Sequence, residues 1–328
     1  MQKEIFRTYS GQEILEIPEE TYIPIINNIL YRNDMVGILG KYKSNKSILA
    51  MQMACAISSG KPFLDTFKVP EAKNVWFFST EGKDNELKDR FLRMSSTVPV
   101  DFNKLVLICS TQLKFNSNIG KRSVEKIIER YHEKIPDAIF IDSMYSGFKG
   151  TLVSDENMND FLTVIRSLAE QCNNAATCIT HHFNKESKDK EGKVIAQNSM
   201  NSYGSVFFMG QADHCFTIER CKKDERDRIV KCKSEDQRSG NIIETMRIRF
   251  NEPDPLFMQL CSMHKEEEDM VEAILLKNPR GLTNKEIMVK TKIKKSLYYA
   301  VINEMDARGK INKGGKYNGI ITLAGETR

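Results

Sequence analysis

The chain has 328 residues, of which 40% are hydrophobic and 28% charged, and its formal charge is +5 at pH 7. This length allows one large domain or two unequal ones, and the composition excludes wholesale disorder. No run of 18 apolar residues occurs and the N-terminus lacks an apolar signal core, so we expect neither a membrane span nor secretion. Eight cysteines without a C-x-x-C pair predict the reduced thiols of a cytoplasmic protein.

The charge is distributed unevenly along the chain. Residues 270–328 contain 12 Lys and Arg against 5 Asp and Glu, a net of +7, which leaves a net of −2 on residues 1–269. A nearly neutral body and a basic tail predict two domains, at residues 1–263 (with an N-terminal extension) and 264–328. The basic tail is a candidate for binding a polyanion.

Short apolar runs alternate with amphipathic stretches from residue 35 to about 250. Runs rich in β-branched and aromatic residues predict strands at 35–39, 75–79, 105–109, 138–142 and 177–180. Helical spacing predicts helices at 47–59, 84–94, 123–133 and 158–172. This order predicts an α/β fold with a mainly parallel sheet flanked by helices. Later apolar runs, at 206–219, 228–232 and 244–250, predict further strands that extend the sheet in antiparallel fashion.

The basic tail has its own pattern of elements. It predicts a helix at 270–278, a short helix that Thr283 and Glu286 begin as a capping box, and a longer helix at 294–309. Two short strands follow within 310–323, around a Gly-Gly turn. This order is typical of a small winged helix-turn-helix domain.

The strongest chemical signal lies between the first predicted strand and the first predicted helix, in Gly40-Lys-Tyr-Lys-Ser-Asn-Lys-Ser47. A loop in this position binds phosphates through backbone N–H groups and a helix N-terminus. Asn45 replaces the last glycine of the usual motif, and Asn is the side chain that best tolerates positive φ. The predicted nucleotide-binding residues are Gly40, Lys43, Ser44, Asn45, Lys46, Ser47 and Ile48.

Polar residues at the ends of other predicted strands complete an ATP site. Glu81 follows the strand at 75–79 and is placed to activate the attacking water. Asp142 ends the strand at 138–142, as a Walker B carboxylate does, so Ser47 and Asp142 are the predicted Mg²⁺ ligands. His182 lies at the tip of another strand, where it can contact the γ-phosphate and respond to its loss.

Taken together, these motifs resemble the RecA-like ATPases of the hexameric RepA-type replicative helicase family over about residues 20–250. The resemblance rests on the phosphate loop, Gly60-Lys-Pro62, Trp76-Phe-Phe-Ser-Thr-Glu81, Glu86 to Arg90, Asp142, and His181-His-Phe-Asn-Lys185. Tyr203-Gly-Ser205 stands where the family has R-G-S. Lys231-Cys-Lys233 matches a strand that points into the neighbouring subunit's ATP site.

The resemblance therefore implies a homo-oligomer, a hexameric ring, with ATP and Mg²⁺ as cofactors and DNA as partner. It assigns Lys231, Lys233 and Arg238 as candidate catalytic cations acting between subunits.

Lysines suggest where DNA would bind. In a ring, the loops at 145–157 and 183–203 would face the channel, and their residues Lys149, Lys185, Lys188 and Lys193 could follow a single strand. The winged helix offers duplex contacts at Lys292, Lys294, Lys295, Tyr298, Lys313 and Lys316.

Alternatives remain at each of these points. The loop lysines could be merely solvated, and winged helices also serve as protein docking modules. Asn45 and Tyr203 favour a second class of function, a nucleotide-sensing or nucleotide-dead DNA-binding adaptor or regulator that uses the winged helix for recruitment.

Overall fold

The computed structural model describes residues 8–16, 23–152, 154–182, 206–221, 224–232, 245–250, 256–307, 309–314 and 319–324. The chain divides into two compact units. The first comprises Met1–Ile218 and Cys232–Ile243, and the second Glu219–Lys231 and Glu244–Arg328. The domain boundary expected between residues 263 and 264 stays a prediction, and the second unit extends beyond it to take in three strands that precede residue 263.

The first unit alternates strands and helices. Its elements are α1 (Gly11–Glu16), β1 (Pro24–Ile26), β2 (Leu30–Tyr31), β3 (Met35–Gly40), α2 (Lys46–Ser59), β4 (Val75–Ser79), α3 (Asp84–Met94), β5 (Leu105–Cys109), α4 (Asn118–Arg130), a 3-10 turn (His132–Lys134), β6 (Ala138–Asp142), α5 (Met144–Gly147), α6 (Asp155–Gln171), β7 (Ala176–His182), α7 (Val206–Gln211) and β8 (His214–Arg220), whose last two residues belong to the second unit.

Six strands of this unit form a parallel sheet in the order β8-β3-β7-β6-β4-β5. Every residue of β3 and of β4 is buried, and such strands read as continuous apolar runs because both faces are covered. Helix α2 packs on β3, β4, β6 and β7, and residues of α4, α5 and α6 join one apolar cluster with the strands. The predicted α/β core with a mainly parallel sheet is confirmed.

Two stretches differ from the prediction. Residues 206–219, expected to be a strand, contain α7 followed by β8, because a short apolar run fits a buried helix as well as a strand. The expected channel loop at 145–157 is partly helical, since α5 occupies its beginning and α6 starts at Asp155.

The second unit begins with an antiparallel meander and ends in a small helical region. Its elements are β9 (Asp227–Lys231), β10 (Met246–Phe250), β11 (Met258–Cys261), α8 (Lys265–Leu276), β12 (Leu282–Thr283), α9 (Asn284–Thr291), α10 (Lys295–Ala307), β13 (Ile311–Lys313) and β14 (Ile320–Leu323). Strand β10 pairs with β9 and β11, and β14 pairs with β12 and β13. The predicted capping box of Thr283 and Glu286 is present at the start of α9.

A buried ion network holds the meander to α8. The Asp227 carboxylate is fully buried and accepts hydrogen bonds from Arg247 Nε at 2.5 Å and Arg249 Nε at 2.6 Å. The Arg247 guanidinium, itself 2% exposed, also makes a two-point contact with Glu266 of α8, at 2.8 and 3.1 Å. Buried charges of this kind are tolerated only when each is paired, so these residues fix β9, β10 and α8 relative to one another.

In the described parts of the chain, none of the helices combines the length and apolar character that crossing a bilayer requires.

Candidate nucleotide-binding site

The candidate site lies where four neighbouring parallel strands end. In the sheet register Gly40 of β3 is opposite His182 of β7, and Ser79 of β4 is opposite Asp142 of β6. Because the carboxyl ends of parallel strands meet at one edge, the residues predicted from separate motifs are brought together. In open α/β sheets this edge is where ligands bind.

The loop between β3 and α2 has the backbone of a phosphate-binding loop. Asn45, at the N-cap of α2, has φ 72° and ψ 26°, which is the left-handed conformation that the motif's glycine would supply. Lys43 also has positive φ, at 60°. The replacement of glycine by Asn45 is therefore compatible with the loop's path, and α2 begins at Lys46 with its N-terminal N–H groups directed at the loop.

Gly40 and Ser44 lie close together in the loop. A Cβ on Gly40 would lie 2.5 Å from Ser44 Oγ and 2.7 Å from the Ile218 carbonyl oxygen, so only glycine fits there. Ser44 is 2% exposed, and among the described residues its hydroxyl has no hydrogen-bond partner. A buried hydroxyl in this state is costly unless a ligand supplies the missing bond. Phosphate oxygens are acceptors of the required kind.

Lys46 places a buried ammonium beneath the loop. Its Nζ donates to the carbonyl oxygens of Gly40 and Lys41, at 3.1 and 2.9 Å, and to His182 Nδ1 at 3.1 Å. Burial lowers the pKa of Lys46 to about 8, against the opposing effect of the Asp142 and Glu81 charges. The loop carbonyls thus hold the ammonium of Lys46 in the free protein. The terminal phosphates of a bound nucleotide could neutralise its charge at this position.

Ser47 and Asp142, the predicted Mg²⁺ ligands, are in contact. Ser47 Oγ donates to Asp142 Oδ1 at 3.0 Å, and Thr180 Oγ1 donates to the same oxygen at 2.6 Å. Burial raises the pKa of Asp142, while the hydrogen bonds from Thr180 and Ser47 lower it. A hydroxyl and a carboxylate oxygen in contact are the donor set that Mg²⁺ prefers, so the two residues fit this ion.

Glu81 and His182 lie on either side of this centre. The Glu81 carboxylate oxygen Oε1 accepts hydrogen bonds from the hydroxyls of Ser143 and Ser146, the second at 2.9 Å. Burial, and then the charge of Lys46, lower the pKa of His182. Because an ammonium can only donate, His182 Nδ1 is the acceptor and its ring proton lies on Nε2. The ring centroid of the exposed Tyr42 is 5.8 Å from that of His182.

Comparison with known proteins decides the family. The family model described as AAA domain (AAA_25) matches residues 15–188, which is more than half of the chain and includes the loop, Glu81, Asp142 and His182. The chain belongs to this AAA domain family. Membership identifies it as a P-loop ATPase domain protein and implies nucleotide binding at the loop.

Structural comparison agrees with this assignment of the fold. The AAA domain protein is similar to the crystal structure of KaiC-like protein PH0186 from the hyperthermophilic archaeon Pyrococcus horikoshii OT3, with a TM-score of 0.50 and 13% identity over 73% of this chain and 94% of that one. At this identity the likeness concerns the RecA-like fold alone. No curated protein matches the sequence.

The remaining predicted site residues of this AAA domain protein fall outside the cluster. Lys231 ends β9 in the second unit, and its Nζ pairs with Glu219 Oε2 at 2.7 Å. Lys149 is exposed, with its backbone held by the Asn116 side chain at 2.7 and 2.8 Å. The predicted residues that lie outside the described parts of the chain are Lys185, Lys188, Lys193, Lys233, Arg238 and Lys316.

The predicted duplex contacts are partly corrected. Lys292, Lys294 and Lys295 are exposed between α9 and the start of α10, whereas Lys313 pairs with Asp306 at 2.9 Å. Tyr298 is 0% exposed and donates its hydroxyl to Asn284 Oδ1 at 2.8 Å, so the prediction that it contacts DNA is wrong. It lies on the same face of α10 as the buried Val301, Ile302 and Met305, which are three, four and seven positions further on.

Three residues of the site were not anticipated. Thr180 precedes His182 by two positions on β7, so both side chains point to the same face, and this alternation was a usable signal. Ser143 follows Asp142 directly and Ser146 lies four positions after it, but serines after a strand are too common to have been distinguished by sequence.

Replacing Asn45 tests the loop conformation. We expect Asn45→Gly to keep the wild-type affinity for ATP, because the backbone already has the left-handed conformation that glycine adopts freely. Asn45→Ala should lower stability by about 1 kcal/mol and weaken ATP binding, because alanine disfavours this conformation. Denaturation and titration with a fluorescent ATP analogue measure both effects. Equal behaviour of the two variants would contradict the argument.

The depressed pKa of Lys46 makes ATP binding proton-linked. Burial lowers the pKa of this amine to about 8 in the free protein, while bound phosphates favour the charged form. ATP binding should therefore take up more protons at pH 8.5 than at pH 7. Calorimetry in buffers of different ionisation enthalpy gives both values. An uptake that does not increase with pH would be inconsistent with a buried lysine of this kind.

Proposed function

We propose that this protein is an ATP-hydrolysing, DNA-acting member of the RecA-like ATPases, of the RepA-type replicative helicase kind, in a plasmid, phage or mobile element. The observation that carries the proposal is the convergence of Lys46, Ser47, Asp142, Glu81 and His182 at the ends of four neighbouring strands. Lys46 would supply the cation, Ser47 and Asp142 the metal ligands, Glu81 the general base and His182 the contact with the γ-phosphate. These are the groups that phosphoryl transfer to water needs.

In the proposed mechanism each residue has one task. The loop N–H groups and Lys46 bind the β- and γ-phosphates, and Ser47 with Asp142 would hold Mg²⁺. When bound, Mg²⁺ would supply positive charge to the phosphate oxygens. Glu81 accepts a proton from the attacking water, whose oxygen bonds to the γ-phosphorus while the bond to the β-phosphate oxygen breaks and ADP leaves. His182 donates from Nε2 to the γ-phosphate and loses this hydrogen bond when the phosphate departs, while its Nδ1 accepts from the Lys46 ammonium.

Charge and exposure support the proposed DNA partner. The basic tail carries the net +7, and the elements of residues 265–323 follow the order of a winged helix-turn-helix. Lys292, Lys294 and Lys295 are exposed where such a domain presents its recognition helix. We propose that the protein works as an oligomeric ring, with Lys231 acting on a neighbouring subunit's nucleotide and Lys149 on single-stranded DNA.

Two variants separate binding from hydrolysis. Lys46→Ala removes the buried cation and should abolish both ATP binding and turnover. Glu81→Gln keeps the cation but removes the base, so ATP should bind with near-normal affinity while turnover falls by about a hundredfold or more. A fluorescent ATP analogue measures binding, and phosphate release with and without single-stranded DNA measures turnover. Particle size with and without ATP, in the same samples, tests the ring.

The outcomes distinguish the alternatives. A wild-type protein that binds no nucleotide would overturn the proposal. Binding of ATP without turnover would instead point to the nucleotide-sensing adaptor, a function that needs the loop but not Glu81.

A double charge reversal tests the duplex contact. Lys294→Glu with Lys295→Glu should weaken duplex DNA binding by about tenfold or more and reduce its salt dependence by about two phosphate contacts. Turnover without DNA should not change. The matched control is Lys121→Glu with Lys126→Glu on α4, which makes the same change in net charge. If both pairs weaken binding equally, the effect reflects net charge and the assigned surface is incorrect.

A further inference from the structure

Two serine hydroxyls hold the carboxylate of Glu81, and neither has a role in the proposed hydrolysis of ATP. Ser143, directly after Asp142, and Ser146, on α5, both donate to Oε1 of Glu81, the latter at 2.9 Å. Among the described residues no side chain or backbone group donates to the other carboxylate oxygen, Oε2. One oxygen of the proposed base is therefore held while the second stays available to a water molecule.

Ser143 is fixed to the residue that precedes Glu81. Its backbone N–H donates to Thr80 Oγ1 at 3.0 Å, and Thr80 Oγ1 donates back to the Ser143 carbonyl oxygen at 2.8 Å. Both residues are 2% exposed, and the Thr80 N–H also donates to the Asp142 carbonyl oxygen at 2.8 Å. The end of β4 and the end of β6 are thus joined next to the glutamate.

Ser146 is held through its own backbone. Its carbonyl oxygen accepts a hydrogen bond from Lys114 Nζ, and the next carbonyl, of Gly147, accepts from the Phe115 N–H at 2.8 Å. The short helix α5 is therefore fixed to the segment that follows β5. The hydroxyl of Ser146 therefore contacts Glu81 from a fixed position.

We propose that Ser143 and Ser146 are positioning residues that orient Glu81 so that it can activate the attacking water; this inference rests on the proposed function. Glu81 is exposed, and a free glutamate side chain samples many rotamers. A base whose geometry is set by a third group is a recurrent arrangement in hydrolytic sites. Misplacement of a catalytic group by about 1 Å can reduce a rate by up to a hundredfold. The two hydroxyls thus contribute to kcat and not to nucleotide affinity.

Ser146 gives the cleaner test because Ser143 is buried. Ser146→Ala should lower kcat for ATP by about tenfold with KM unchanged. Ser146→Thr, which keeps a hydroxyl, should restore most of the rate. The matched control is Ser123→Ala, since that hydroxyl donates only to the Ile119 carbonyl oxygen of its own helix, at 2.9 Å, and its loss should leave kcat unchanged.

A measurement without turnover keeps the two proposals separate. In the nucleotide-free protein, Ser146→Ala should lower Tm by about 2 °C, and it should have no effect in the Glu81→Ala background. Wild-type kcat in Ser146→Ala would overturn the positioning role while leaving the proposed function intact. If the wild type binds ATP but does not hydrolyse it, the proposed function fails. The Tm comparison then still decides whether the serine holds Glu81, because additive shifts would exclude it.

Discussion

The buried ammonium of Lys46 is the constraint around which the site is built. A charged amine in a low-dielectric setting is stable only if its surroundings compensate for lost water, and here two loop carbonyls and His182 do so. Each compensating group imposes a requirement on the chain. The carbonyls fix the path of the loop from Gly40, and the imidazole requires that β7 lie directly beside β3. The sheet order and the chemistry are therefore linked through one side chain.

Parallel register extends that link to the acidic residues. Ser79 and Asp142 are paired across β4 and β6, so a carboxylate that follows either strand is delivered to the same edge as Lys46. The hydrogen bonds to Asp142 from Ser47 and Thr180 then come from two different elements, α2 and β7. The nucleotide site of this AAA domain is thus assembled from the ends of four strands together with helices α2 and α5, none of which could provide it alone.

The sequence predicted those features of the fold and the site that depend on residues close together in the chain. Continuous apolar runs identified the buried strands, and the strand–loop–helix order identified Lys46, Ser47 and Asp142. What it missed depends on contacts between distant residues: Ser143 and Ser146 gain their meaning only from the position of Glu81. Tyr298 was placed among the duplex contacts, although its spacing from Val301, Ile302 and Met305 puts it on the buried face of α10. The prediction of a strand at 206–219 was wrong for its first part because an apolar stretch of that length does not distinguish a helix from a strand.

The ion network around Asp227 determines where this chain can be divided. A fragment that stops at residue 263 would keep the buried Asp227 and Arg247 but lose Glu266, leaving a buried guanidinium with half of its compensation. A truncation that preserves this network has to keep strands β9 and β10 together with helix α8. The part of the chain that these buried charges hold together is therefore larger than the basic tail that the charge distribution first indicates.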